Sequence, residues 1–251
     1  MSKPETTTNN EQTPFKILHE DNHIIVVLKP RNMPSQEDKT GDTDLLTAVK
    51  EYIKVKYEKK GEAFVGLVHR LDRPTGGVMV FAKTSKAAAR LSEQIKEGKV
   101  GKKYFAITAG IPKERFGKIE TYLVKDERNN IVKNHIAKVA NSKLAILEYR
   151  VLELADEEGL GLMDIDLITG RSHQARVQLA YLGNPIFGDH KYGGTKSVGK
   201  GHTLALWAYS LTFTHPTTNE LHTFRSFPPE DEHPWNLFSF DKYVSVASQR
   251  Q

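Results

Sequence analysis

The stretch His69-Arg70-Leu71-Asp72-Arg73-Pro74-Thr75-Gly76-Gly77 decides how this chain is organised. Apolar residues 64–68 precede it and apolar residues 78–82 follow it, and both runs have the length and composition of β-strands. Pro74 and the two glycines force a tight, irregular connection between these runs. We therefore predict that Asp72 lies on a turn between two strands, where its side chain can be aimed.

The charges around Asp72 restrict what its carboxylate can do. Arg70 and Arg73 flank it and no second acid is nearby, so the ionised form is favoured. An ionised carboxylate is a poor general acid at neutral pH, but it can act as a nucleophile or a base. The alternative is a structural aspartate that accepts backbone N–H bonds in a turn, with both arginines in solvent. That alternative would be favoured for an isolated Arg-Leu-Asp-Arg, but the complete nine-residue string is far more specific.

Composition restricts the classes of function further. The 251 residues include no cysteine, which excludes disulfides, thiolate metal ligands and thiol nucleophiles. Hydrophobic residues make up 38% of the chain and charged residues 27%, as in a soluble globular protein. No apolar run approaches the ~20 residues of a spanning helix and no signal-peptide core opens the chain, which predicts a cytoplasmic protein without membrane contact. The net charge of +5 and the pI of about 9.1 fit a nucleic-acid partner, with ordinary solubilising charge as the alternative.

The chain divides into one folded domain between two short tails. Residues 1–13 are polar and contain too little apolar surface to fold, so we predict a disordered leader. Residues 14–243 contain no internal repeat and no linker-like stretch, and we interpret them as a single domain. Residues 244–251 are expected to fray.

Hydrophobic periodicity predicts an α+β fold. Strands are predicted at 15–20, 23–28, 64–68, 78–82, 102–109, 117–124, 131–140, 144–154, 160–168, 203–215 and 220–227. Helices are predicted at 43–57, 85–96, 173–182 and 235–240. Thr43 or Asp42 would cap the first helix, and Thr84 or Ser85 the second. Strands outnumber helices and most connections are short, which indicates a mixed, largely antiparallel sheet with flanking helices.

The helix at 173–182 opens on the polar string Thr169-Gly170-Arg171-Ser172-His173-Gln174-Ala175-Arg176. Arg171, His173 and Arg176 come within two turns of a helix N-terminus, which favours anions such as phosphate or carboxylate. Forked arginine contacts would hold a carboxylate ionised and oriented. The alternative is a solvated, mildly basic helix start. The string has no second histidine at four-residue spacing, so it is not a metal signature.

Tyr104 follows Lys102 and Lys103 in the strand predicted at 102–109. An aromatic residue on a strand usually belongs to the core, and the alternation of side chains places Tyr104 opposite Phe105. Periodicity alone therefore favours core packing for Tyr104. The same applies to Leu206, which stands in an apolar run that an interior strand explains nearly as well as a site does.

Both polar strings resemble motifs of the RluA-like pseudouridine synthases. Residues 69–77 are similar to the catalytic motif of that family, and residues 169–176 to its Thr-Gly-Arg-x-His-Gln-x-Arg motif. Weaker similarity lies at Lys29-Pro30, 186–193 and 204–211. The resemblance covers roughly residues 15–227 and implies the pseudouridine synthase catalytic fold. It also implies an isomerase that converts uridine in RNA to pseudouridine with no metal or other cofactor.

The resemblance implies a role for individual residues. Asp72 would be the reactive carboxylate, Arg176 its ion-pair partner, and Tyr104 the residue that stacks on the target base and accepts a proton. Leu206 would pack on the base as well. Contacts to the RNA are expected from Arg70, Arg73, Lys102, Arg171, His173 and Gln174. Arg171 would meet the RNA backbone, although Arg171 and Arg176 could exchange roles.

The implied reaction begins with a uridine that leaves its stack in the RNA. Tyr104 and Leu206 would hold the uracil between them, since stacking is worth roughly 1–3 kcal/mol per base. Asp72 would then attack the uracil ring or the sugar carbon, or would abstract a sugar proton. The sequence leaves these three routes open.

The chain departs from the family pattern at three places. Gly76-Gly77 stands where Ser-Gly is usual, Ala175 where a larger aliphatic residue is usual, and Val78-Met79-Val80 where leucines are usual. These departures bear on the subgroup and therefore on the substrate, and both ribosomal and transfer RNA stay open. Some relatives carry an RNA-binding domain before the catalytic one, whereas about a dozen polar residues precede the first strand here. We therefore expect loops 31–40 and 188–201 to select the target.

Two other classes of function are compatible with parts of the sequence. A non-catalytic RNA-binding protein would explain the basic charge and the strand aromatics, but a carboxylate such as Asp72 in a basic groove would repel phosphates. A hydrolase could use Asp72 with His69 or His173, but the sequence has no serine elbow, metal spacing or paired carboxylates that support it. No obligate protein partner is evident, and we predict a monomer.

Overall fold

The computed structural model describes residues 13–194, 202–240 and 242–243. The strands are β1 Lys16–Glu20, β2 Ile24–Lys29, β3 Gly66–Leu67, β4 Gly76–Ala82, β5 Gly101–Ala109, β6 Phe116–Asp126, β7 Ile131–His135, β8 Lys143–Ala155, β9 Leu160–Leu167, β10 Leu206–Thr214 and β11 Leu221–Arg225. The α-helices in this part of the chain are α1 Leu45–Lys56, α2 Ser85–Lys96 and α3 Gln174–Tyr181. A short 3-10 helix follows at Trp235–Leu237. The leader and the C-terminal tail lie outside the described residues, apart from Thr13.

All eleven strands belong to one sheet, and their pairing confirms the predicted α+β class. The order is β1-β2-β4-β10-β5-β9-β8-β6-β7, with β3 beside β4 and β11 beside β10. Every pair is antiparallel except β4–β10, where Gly76 faces Trp207 and Gly77 faces Ala208. This parallel pair joins the two halves of the sheet. It brings the turn that precedes β4 close to β5, which pairs with β10 on its other side.

The central strands are buried on both faces because helices pack on opposite sides of the sheet. Along β2, Ile25 and Val27 face the larger core together with α1, whereas Ile24 and Val26 face a second core with α2. Strand β4 alternates in the same way. This two-sided burial explains why both strands read as continuous apolar runs in the sequence. None of the helices in the described residues is both long and apolar enough to span a membrane.

Several predicted boundaries were wrong. The cap of α1 is Asp44, whose Oδ1 accepts from the Thr47 backbone N–H at 3.0 Å, and not Thr43 or Asp42. Strand β7 ends at His135 and does not continue to residue 140. Helix α3 begins at Gln174, since His173 takes a left-handed backbone conformation with φ of 54°. Each of these boundaries depends on backbone geometry rather than on hydrophobic period.

The apolar run at 64–68 is also not the full strand that was predicted. Only Gly66 and Leu67 pair with β4, opposite Ala82 and Phe81. The reason is that β2 occupies one edge of β4, while β10 takes the start of the other edge at Gly76 and Gly77. The chain between β3 and β4 must therefore leave the sheet. Asp72 lies on this excursion.

The two glycines that open β4 are required by close contact with β10. A Cβ on Gly76 would lie 2.2 Å from the buried Trp207 ring. Gly77 has a φ of 131°, and a Cβ there would lie 2.3 Å from the Ala208 carbonyl oxygen. The Trp207 ring thus fills the space that a serine side chain at residue 76 would need. This contact explains why the chain has Gly76-Gly77 at a place where Ser-Gly is usual.

We predict that Gly76→Ser destabilises the protein by roughly 1–3 kcal/mol, because the added atoms overpack the Trp207 ring. Urea unfolding measures the loss. The loss of stability caused by Gly76→Ser should be much smaller in a Trp207→Ala background, since the clashing ring is then absent. Gly61→Ser is the matched control, because nothing lies within 4 Å of a Cβ at that position. An equal loss in both backgrounds would contradict the proposed contact.

Candidate active site

A cavity of about 950 Å³ lies where the two polar strings meet. Its wall includes eight of the ten residues that sequence reasoning placed at the site: Arg70, Asp72, Arg73, Lys102, Tyr104, Arg171, His173 and Arg176. The chain folds this way because the parallel β4–β10 pair sets residues 69–75 beside β5, and β9 carries the second string to the same place. Gln174 and Leu206 do not line the cavity.

Asp72 and Arg176 form an ion pair at the centre of this cavity. The Arg176 Nη1 donates to Asp72 Oδ2 at 3.3 Å, and the Asp72 side chain is 25% exposed whereas that of Arg176 is 8% exposed. His173 lies on the other side of the carboxylate, with Nε2 3.9 Å from Oδ1. The carboxylate is thus held by Arg176 on one side, faces His173 on the other, and remains open to the cavity.

Asp189 is a second carboxylate that sequence reasoning missed. It accepts from Arg176 Nε at 2.8 Å and from Nη2 at 2.7 Å, and it is almost fully buried. The backbone N–H groups of Lys191 and Tyr192 also donate to it. Burial acts to raise the pKa of Asp189, but Arg176 and these N–H groups hold it below its usual value. Asp189 stands in the family-like string at 186–193, which was the signal that could have identified it.

The arginines next to Asp72 in the sequence are not its partners in space. Arg73 forms ion pairs with Asp38 and Asp42, and its Nη1 donates to Thr40 Oγ1 at 2.8 Å. Arg70 is exposed. We expected Arg70 and Arg73 to be the cations next to the Asp72 carboxylate, and this expectation was wrong. Arg176 makes the contact from 104 residues further along the chain.

Two buried side chains hold the backbone on both sides of Asp72. Ser35 Oγ donates to the Leu71 carbonyl at 2.7 Å and accepts from the Leu71 N–H at 3.1 Å. Lys29 Nζ donates to the Arg73 carbonyl at 3.0 Å, and also to two carbonyls of its own loop. Burial lowers the pKa of Lys29 to about 7, and the Asp72 charge acts in the opposite direction. The turn that carries Asp72 is therefore fixed by its neighbours.

Tyr104 lies on β5 between Ile165 of β9 and Ala208 of β10, and its side chain lines the cavity. It is 8% exposed, so it packs like a core residue while it faces the site. Burial, with a further contribution from the Asp72 charge, raises the pKa of Tyr104. The phenol is therefore neutral at physiological pH.

The apolar wall beside Tyr104 is made by a different leucine from the one predicted. Leu206 pairs with Ala106 inside the sheet, whereas Leu204, two residues earlier, lines the cavity with Leu167. The family-like run at 204–211 thus borders the cavity, but through Leu204 and not through the predicted Leu206. Leu204 lies before the first residue of β10, so the alternation of side chains along that strand does not determine where Leu204 points.

The side chain of Gln174 is used within the protein and does not reach the cavity. Its Oε1 accepts from Thr169 Oγ1 at 2.8 Å and from the Arg171 N–H at 3.0 Å, and its Nε2 donates to the Ile146 carbonyl. Gln174 is also buried. We therefore replace the predicted RNA contact with a structural function, which is to hold the backbone that carries Arg171.

Cationic side chains surround the mouth of the cavity. Arg70 and Arg171 are exposed, and Arg171 Nε donates to the Leu144 carbonyl at 2.9 Å. Lys102 is partly buried, and burial lowers its pKa. Lys191 lies on the same rim, with its Nζ 2.9 Å from the Asn130 carbonyl. These charges suit an anionic ligand that is longer than the cavity itself. Within the described residues, no group of three or more His, Cys, Asp or Glu side chains could hold a metal ion.

Comparisons with known proteins agree on one family. Residues 23–181 match the family model described as RNA pseudouridylate synthase. An RNA pseudouridine synthase of Aquifex aeolicus is 35% identical over 230 residues, which cover 88% of this chain and 71% of that protein. The ribosomal large subunit pseudouridine synthase D of Borreliella burgdorferi is 34% identical over 203 residues, which cover 79% of this chain and 60% of that protein.

A solved structure shares the fold as well. Human RNA Pseudouridylate Synthase Domain Containing 4 superposes with a TM-score of 0.71 and 26% identity, over 85% of this chain and 88% of the human one. The mixed sheet with its flanking helices is therefore a pseudouridine synthase fold. The chain belongs to the RNA pseudouridylate synthase family, and it is an isomerase.

We predict that His69 makes the protein sensitive to acid. Its Nε2 accepts from the Val80 N–H at 3.1 Å, and burial, aided by the Lys102 charge, lowers its pKa to about 4. The unfolded chain takes up a proton near pH 6.5 but the folded protein does not, so stability is lost as the pH falls through this window. Between pH 7 and pH 4.5 this loss should be roughly 2–3 kcal/mol.

The measurement is urea unfolding of the wild type and His69→Gln at both pH values. Glutamine keeps an acceptor for Val80 but does not titrate, so the variant should lose much less stability in acid. His190→Gln, at an exposed position, should retain the wild-type pH dependence. Equal acid sensitivity in His69→Gln and wild type would contradict the assignment.

Proposed function

We propose that this isomerase acts on ribosomal RNA and that Asp72 is its reacting carboxylate. The observation that carries the proposal is the Asp72–Arg176 ion pair inside a cavity rimmed by cations and walled by Tyr104 and Leu204. A relative named for the large ribosomal subunit supports the choice of RNA. Transfer RNA is the alternative target.

The reaction leaves the elemental composition of the uridine unchanged. The bond between uracil N1 and the sugar carbon breaks, the ring turns, and C5 forms a new bond to the sugar; C5 releases its proton and N1 takes up one proton from the solvent. A cavity of about 950 Å³ has room for one nucleotide to enter and for its base to rotate. We infer that the target uridine flips out of its stack to reach Asp72, which lies inside the cavity.

The proposal gives separate chemical tasks to the ion pair, the apolar wall and the cations of the cavity. Arg176 pairs with Asp72 and orients its carboxylate for attack on the uracil ring or the sugar carbon. Tyr104 and Leu204 pack against the uracil, and the cations at the rim bind phosphates. Tyr104 accepts the C5 proton, which requires its own hydroxyl proton to pass to solvent because burial keeps the phenol neutral.

Chemical mapping of pseudouridine in total RNA, with and without the gene, tests the target. Loss of one or more ribosomal sites supports the proposal, and loss of sites in transfer RNA alone would overturn the ribosomal target but retain the activity. If no site changes and the purified protein releases no tritium from RNA carrying uridine tritiated at C5, the proposed activity is wrong. A non-catalytic RNA-binding protein would then be favoured.

We predict that Asp72→Asn abolishes product formation but still binds RNA. Asparagine keeps the size of the side chain and loses the nucleophile, while the cations at the rim are unchanged. Tritium release with RNA from the deletion strain measures turnover, and filter binding measures affinity. Detectable turnover above the blank by Asp72→Asn would remove Asp72 from the mechanism.

We predict that Tyr104→Phe lowers kcat by roughly 10²-fold or more, the size expected for loss of a positioned acid–base group. The ring that packs on the uracil is retained, so KM for the RNA should change little. Tyr52→Phe loses a tyrosine hydroxyl outside the cavity, where it donates to Glu20 at 2.9 Å, and is the matched control. Wild-type kcat in Tyr104→Phe would refute the assigned proton transfer.

A further inference from the structure

The Tyr192 hydroxyl connects three parts of the site. It accepts from the Val132 backbone N–H at 2.9 Å and lies 2.5 Å from His173 Nδ1. The Arg176 guanidinium lies over the ring of Tyr192, 5.2 Å from its centre. The hydroxyl is thus placed between a backbone donor on β7 and the imidazole that faces Asp72.

These contacts, together with the position of Asp72, favour one nitrogen of His173 as the site of its proton. A tyrosine hydroxyl has one hydrogen, and Val132 already occupies a lone pair of its oxygen. The second lone pair could accept from a protonated His173 Nδ1, but that form would turn the bare Nε2 toward Asp72 Oδ1, so we infer that the hydroxyl donates to Nδ1. A neutral imidazole that accepts at Nδ1 carries its proton at Nε2. This Nε2–H faces Asp72 Oδ1, where a bare nitrogen lone pair would be repelled by the carboxylate.

The surroundings of His173 also favour the uncharged ring. Its side chain is 9% exposed, and burial lowers its pKa. The Asp72 and Asp189 charges act to raise this pKa, whereas Arg176 and Lys191 act to lower it. The side chain that faces Asp72 is therefore a neutral N–H donor, and Arg176 supplies the positive charge.

We propose that Tyr192 and His173 are positioning residues for Asp72: Tyr192 fixes the Nε2–H form of His173, whose N–H orients Oδ1 while Arg176 holds Oδ2. This inference rests on the proposed function of Asp72. The distance of 3.9 Å between His173 Nε2 and Asp72 Oδ1 is longer than a hydrogen bond. Catalytic hydrogen bonds are often long in the free enzyme and shorten in the substrate complex. With both oxygens held, the Asp72 carboxylate has one fixed orientation toward the nucleotide.

A purely structural function of His173 predicts a different outcome for one pair of variants. The residue has a φ of 54°, a conformation that asparagine adopts more readily than glutamine. If only the backbone matters, His173→Asn should be the better substitute. The amide nitrogen of glutamine instead reaches the position of Nε2, whereas that of asparagine reaches the position of Nδ1. Positioning of Asp72 therefore predicts that His173→Gln is the better substitute.

The kinetic experiment compares kcat and KM of both variants by tritium release, with RNA from the deletion strain. We expect His173→Asn to lose at least about tenfold more kcat than His173→Gln, the size of one hydrogen bond to a charged group. KM should be similar in both variants. An equal kcat, or a higher kcat for His173→Asn, overturns the proposal.

The spectroscopic experiment reads the protonated nitrogen directly in the RNA-free protein. NMR of protein labelled with ¹⁵N at histidine distinguishes Nε2–H from Nδ1–H, and His173→Gln identifies which of the ten histidine signals belongs to residue 173. We expect the Nε2–H form at pH 7 in the wild type and in Tyr52→Phe, and a mixture of both forms in Tyr192→Phe. A protonated Nδ1 in the wild type, or an unchanged spectrum in Tyr192→Phe, refutes the function of Tyr192.

These readouts separate the inference from the activity on which it rests. If the wild type releases no tritium, the proposed function fails, whereas the NMR result still shows whether Tyr192 sets the form of His173. If the wild type is active and Asp72→Asn is not, the comparison of glutamine with asparagine decides the function of His173 alone.

Discussion

The site depends on one buried guanidinium that is shared between two carboxylates. Arg176 gives two of its N–H groups to Asp189, which is almost fully buried, and a third to Asp72, which faces the cavity. Asp189 offsets the desolvation of the arginine, and removal of either member of such a buried pair typically costs about 3–5 kcal/mol. Arg176 is therefore held in place independently of Asp72. The Asp72 carboxylate therefore meets a cation that is already oriented.

The parallel β4–β10 pair makes this meeting possible. In an otherwise antiparallel sheet it joins two halves that carry one polar string each, and it does so through glycines that let Trp207 and Ala208 approach. The chain between β3 and β4 has no edge to pair with and leaves the sheet. Lys29 and Ser35 then hold this excursion by its backbone on both sides of Asp72.

Sequence reasoning located most strands and both polar strings because periodicity and turn residues are local signals. It also brought Asp72, Tyr104 and Arg176 to one site, through the family resemblance. It missed Asp189 and chose Leu206 over Leu204, and it expected Arg73 to act on Asp72. These three errors concern which side chains meet in space. Arg73 turns toward Asp38 and Asp42, and Leu204 lies just before its strand begins. Spacing along the chain contains no information about such contacts.

The loop that follows α3 connects the charge of the site to its geometry. Within it Asp189 anchors Arg176, and Tyr192 contacts both His173 and the backbone of Val132. Lys191 of the same loop donates to the Asn130 carbonyl, so the loop is tied at two points to the β6–β7 hairpin. Asn130 also lines the cavity, so under the proposed function an RNA strand bound there would contact the hairpin to which this loop is tied. The loop that holds Arg176 and contacts His173 is thus connected directly to the cavity wall.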